Sequence, residues 1–220
     1  MNAPNADTEL AFAVTEARAA ELAAVPTLRF AIRVSDTTGV PIQSITLSTA
    51  IRIAPAKRRY SQQQAALLAD LFGAPSRWVD TMRPLTWARV TTVVPAFTGE
   101  IVADLPVECG HDNELAVAKY FHAVRADEVP LQFLFSGTIF HTDRQGSLRT
   151  RRISWSSEAI FALPAEVWHD AVSGPHGHRW LRLSGDRFDA LCAYRSRRGL
   201  TDWDAVVDAL TAGEENGTAT

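Results

Sequence analysis

Long apolar runs are missing from this 220-residue chain: no stretch approaches the roughly 20 consecutive apolar residues that a membrane-spanning helix requires. The opening residues, MNAPNADTEL, carry acids where a secretory signal would need an apolar centre. Cysteine is scarce too. Only Cys109 and Cys192 occur, with no shared spacing, so no disulfide framework is implied and a reducing compartment would keep both as thiols. These absences point to a cytoplasmic protein. There is no GxSxG elbow, no glycine-rich phosphate loop and no HExxH, so the standard enzymatic signatures are lacking. An excess of positive charge is also lacking: 22 basic against 25 acidic residues leave a net charge of −3, which gives no global attraction to a polyanion. Nucleic acid is therefore not an expected partner. The clusters Lys57-Arg58-Arg59, Arg149/Arg151/Arg152 and Arg195/Arg197/Arg198 read as solvated ends of strands or helices.

What is present is the composition of a globular protein, 46% hydrophobic and 21% charged. No repeat or low-complexity linker divides it, so one domain over residues 9–212 is expected, with small, polar, fraying ends at 1–8 and 213–220. Leu28, Phe30, Ile32 and Val34 alternate with polar neighbours, and after DTTG at 36–39 the alternation resumes through Ile45, Leu47, Ile51 and Ile53. The pattern predicts two strands joined as a hairpin. Residues 61–73 open on Ser61 and stop at Gly73, with leucines on one side, and predict a helix. Residues 86–95 and 99–107 are β-branched and punctuated by proline and glycine, so they predict two more strands. A helix over 113–125 follows. Residues 129–143 are apolar at both alternating sets and predict a strand buried on both faces, paired through the turn at 143–146 with 147–162. Ser184 and Gly199 bracket a helix, and a further one runs from 201. The expected class is α+β: about six mostly antiparallel strands in a curved sheet or small sandwich, with a helical C-terminal third.

Two segments could carry chemistry. In VECGHDNELAVAKYFHAV, residues 107–124, Cys109 and His111 could share a metal ion with His122, or Cys109 could act as a thiol nucleophile just ahead of a helix start. The preferred reading is plainer: a strand end, a turn at Gly110, and Asp112 capping the next helix, with His122 a packed imidazole and no metal or cofactor required. Cys192 reads as a small core residue beside Phe188 and Leu191. His176 and His178 read as part of an inter-helix loop. The second segment holds Arg149, Arg151 and Trp155 at alternate positions. A regular strand would present them on one face, and arginine beside tryptophan is a pairing enriched at protein-binding hot spots.

The stretches PTLRF, IRIAPAKRRY, LFGAPSRW, PLQFLFSGTIF and LPAEVWHD, spread from about Leu28 to Leu210, resemble a bacterial family from high-GC soil bacteria that has no assigned activity. The resemblance implies genes beside those of high-affinity uptake [NiFe] hydrogenases, and hence an accessory or assembly protein that binds a protein partner. It supplies no catalytic residue. A more distant similarity, at the level of fold alone, is to the export chaperone SecB. The function expected is non-catalytic protein binding. The alternatives are a SecB-like chaperone or a metal- or thiol-dependent enzyme centred on Cys109 and His111.

Overall fold

The computed structural model describes residues 10–215 except positions 22, 24, 110–114, 126, 144 and 174–182. The chain divides into two compact units, residues 1–180 and 181–220. The first holds two antiparallel sheets. In one, β1 (Ala11–Ala19), β2 (Thr27–Ser35) and β5 (Glu100–Glu108) lie in the order β1-β2-β5. In the other, β3 (Ile42–Ile53) lies between β4 (Leu85–Val94) and β6 (Glu128–Thr142), and both β7 (Leu148–Arg152) and β8 (Glu158–Pro164) pair with the far side of β6. The fold is α+β, as the periodicities predict.

Period-two alternation builds the core. Leu28, Phe30, Ile32 and Val34 are fully buried on one sheet, and Ile45, Leu47, Ile51 and Ile53 on the other. Phe30 meets Phe133 edge-on at 5.2 Å between ring centres, and Phe12 stacks on Phe135 at 4.4 Å, so aromatic rings join the sheets face to face. Helices α1 (Gln62–Phe72), α2 (Trp78–Thr81), α3 (Leu115–Ala123) and α4 (Ala165–Val172) belong to the same unit. In α1, Ser61 and Gln64 form a reciprocal capping box and Gly73 ends the helix. Phe121 of α3 stacks on Trp168 of α4 at 4.5 Å and meets Trp87 at 5.4 Å, which ties both helices to the core.

Two expectations about the strands need correction. The β2 and β3 strands are not a hairpin: they belong to different sheets, and the DTTG turn carries the chain across, held by the Asp36 N–H on the Gly99 carbonyl. The β6 strand is central but not buried on both faces. Val129, Leu131, Phe133 and Phe135 are buried, whereas Pro130, Gln132 and Leu134 on the other face are half-exposed. The β1 strand was not legible, because a bulge between Val14 and Glu16 breaks its alternation.

The second unit contains α5 (Gly185–Arg198) and α6 (Trp203–Glu215). Ser184 stands at the N-cap of α5 and Gly199, left-handed at φ 64°, ends it. Cys192 is half-buried and Phe188 exposed, so neither is the core residue the pattern suggested. Among the described residues no helix is long and apolar enough to cross a membrane.

Candidate functional site

Between the register pairs Thr138↔Arg152 and Leu134↔Glu158, β6 advances four residues while its partner advances six. Two residues are therefore in excess on the edge side, and β7 and β8 are one edge strand interrupted by a bulge. Backbone hydrogen bonds close the bulge at both ends, from the Ile153 N–H to the Gly137 carbonyl at 3.1 Å and from the Phe135 N–H to the Ser157 carbonyl at 2.9 Å. Gly137 adopts φ 146° at this point, and a Cβ there would collide with the Thr46 carbonyl oxygen, so the strand can bend here only as glycine.

The bulge decides where the expected binding residues go. Ile153 is buried and pins one side, the Ser154 and Ser156 hydroxyls bond to each other at 2.9 Å, and Trp155 between them is 96% exposed. Trp87, by contrast, is in the core. Exposing a whole indole costs solvation free energy that Trp87 avoids by burial. Arg149 pairs with Asp143 at 2.9 Å on the surface. Arg151 is held inward: its guanidinium meets Asp36 at 3.1 Å, with the aspartate side chain wholly enclosed and the arginine 27% exposed. This pair ties β7 to the crossover after β2. The three residues thus do not share one strand face, because β7 ends at Arg152 and the bulge reorients Trp155.

Around Cys109 the thiol environment is visible but part of the motif is not, since His111 and Asp112 lie outside the described residues, as do His176 and His178. Cys109 is 5% exposed, its N–H bonds to the Pro26 carbonyl, and burial pushes its thiol up to about 12. At neutral pH such a sulfur is almost entirely protonated, the opposite of what a nucleophile needs. His122 is exposed, not packed; Phe121 is the residue that enters the core. Cys109, His122, Trp168 and His169 line one cleft of about 580 Å³, with Lys119 and Asp70 paired at 3.6 Å beside it. Among the described residues no three His, Cys, Asp or Glu side chains converge as a metal site.

A family model described as a family of unknown function matches residues 7–219. Comparison with curated proteins finds no match. Among solved structures, a Bordetella pertussis protein provisionally named ApaA is similar, at 14% identity over 71% of this chain and 97% of that one, with a TM-score of 0.27. That score is too low to carry fold or function from one to the other.

Proposed function

The chain belongs to the family DUF6084, and we propose that it is a non-catalytic protein-binding or assembly module that docks a partner through the β7–β8 bulge. One observation carries the reading: a tryptophan 96% exposed at a point of the sheet edge that two backbone hydrogen bonds and a buried isoleucine hold still. An exposed indole on a fixed backbone loses the freedom of only two side-chain torsions on docking and offers a large apolar area, which is why tryptophan is enriched at interface hot spots. Arg149 supplies a charged neighbour on the same edge segment, while Arg151, bonded to Asp36, acts from beneath by fixing β7. The partner put first, on the resemblance of the quoted segments, is a component of a high-affinity uptake [NiFe] hydrogenase, met in the cytoplasm. A thiol-dependent enzyme at Cys109 has less support, because burial raises the thiol instead of activating it.

The test uses the full chain as bait in an extract of the native host, beside its Trp155→Ser variant, with mass spectrometry of what is retained. A partner kept by the wild type and lost by the variant, with the purified pair then binding at least tenfold more weakly after the substitution, is the expected outcome. Equal retention by two well-folded baits would remove the bulge as the docking site.

A further inference from the structure

The run Lys57-Arg58-Arg59 follows β3 and opens onto a groove of about 770 Å³ bordered by Arg125, just past α3, and floored by Pro130 of β6 and by Ile160, Ala162 and Pro164 of β8. The sequence alone suggested a solvated strand end. The fold instead divides the cations into two kinds. Arg58 is used internally: it pairs with Asp127 at 2.9 Å, donates to the Glu128 carbonyl at 2.6 Å, and lies over the Tyr60 ring at 5.0 Å. Tyr60 in turn donates to the Pro55 carbonyl and shares a hydrogen bond with the buried Tyr120 hydroxyl, each at 2.7 Å, so this wall is held rigidly. Lys57, Arg59 and Arg125 are different. None has an ion-pair partner among the described residues, and all three are exposed at the groove.

We infer that this groove binds an extended peptide segment that carries one or two carboxylates beside small or apolar residues. The inference rests on the reading of the chain as a protein-binding module, but uses a surface other than the bulge. Three cations unpaired among the described residues and gathered at one mouth repel each other, and a chain with more acids than bases had carboxylates to spare for neutralising them. Their natural complement is an external anion. The type of anion follows from the rest of the lining: Glu128 and Glu166 also border the groove, so a continuous polyphosphate would meet like charge there. A peptide can place a carboxylate against Lys57, Arg59 and Arg125 and lay uncharged residues along Ile160 and Ala162, which point outward from the sheet and are exposed. The Arg59 and Arg125 guanidinium groups can each hold a carboxylate in bidentate geometry.

The experiment selects random octapeptides, displayed on phage, against the immobilised full chain, against Arg59→Glu/Arg125→Glu, and against Trp155→Ser. The expected result is enrichment of peptides with Asp or Glu next to apolar residues. Resynthesised, they bind wild type about tenfold or more tighter than the double variant, lose the same factor when their acids become amides, and bind Trp155→Ser as they bind wild type. If the charge reversals prevent folding, as read by circular dichroism, Lys57→Gln and Arg125→Gln singly take their place, each with a smaller loss. The inference is overturned by absence of enrichment, by peptides that bind the double variant unchanged, or by efficient displacement of the peptides with a ten-residue thymidine oligonucleotide. Peptides lost only on Trp155→Ser would sink the groove and leave the bulge reading standing.

Discussion

Phe135 shows how far a single side chain can be read. It is 2% exposed, stacks on Phe12 from the opposite sheet and lies 6.3 Å from Phe133 on its own. Truncating an enclosed ring removes transfer free energy and leaves a cavity, so Phe135→Ala should cost about 3–5 kcal/mol in urea or guanidinium unfolding. A loss below about 1 kcal/mol would mean that the two sheets do not meet at this ring. Cys109 gives a pH dependence. Its thiol is raised from 9.0 to about 12 by burial, so above pH 9 the unfolded chain gives up this proton while the folded chain keeps it. The stability this group contributes is complete below pH 9 and falls as pH climbs toward 12, by about 1.4 kcal/mol per pH unit while only the unfolded thiol ionises. Tyr60 and Tyr120 are raised as well, chiefly by burial, and add to the alkaline loss in any variant. Stability measured from pH 8 to 11 should therefore decline less steeply in Cys109→Ala than in wild type; identical slopes would place the sulfur in contact with water.

Among the elements, β6 is where regularity is interrupted. It exchanges β8 for β7 at Gly137, and that residue combines a positive φ with direct approach to the Thr46 carbonyl. Gly137→Ala faces both a strained backbone and a collision with main chain, which cannot rotate away as a side chain would. We expect a loss of about 2–3 kcal/mol by denaturant titration, with chemical shifts changed on β3 as well as β6. A neutral substitution would show that the bend is not fixed. The sequence disclosed the strands other than β1 because alternating burial is a local property, as Leu28 to Val34 shows. It disclosed α1 for the same reason, through Ser61 and Gly73. What stayed hidden was the set of features that depend on partners. The alternation from Arg149 to Trp155 runs unbroken in the sequence, and only the shorter count on β6 reveals that two residues must loop out. The cluster Ser154-Trp155-Ser156-Ser157 was the available signal, being turn-rich in an otherwise strand-like stretch. Likewise Lys57-Arg58-Arg59 was legible as charge, but its gathering with Arg125 is a tertiary event.

At the scale of the whole chain, the DTTG crossover has consequences for the order in which the fold can assemble. Because β2 and β3 part into different sheets, each is left with one edge whose partner is distant: β2 pairs at once with β1, but its other edge waits for β5, some 65 to 80 residues further on, and β3, which meets β4 first, waits for β6 on its other edge, some 80 to 100 further on. Each wait is a loop whose closure entropy must be met before any contact rewards it. During synthesis at about 5–20 residues per second, the β6-facing side of β3 stays open for roughly 4–20 seconds, a row of unpaired amides flanked by isoleucine and leucine. The nascent polypeptide therefore passes through a stage in which one apolar edge of β3 is made and not yet covered. Slower translation through residues 54–142 therefore lengthens the time for which that edge is open to other chains.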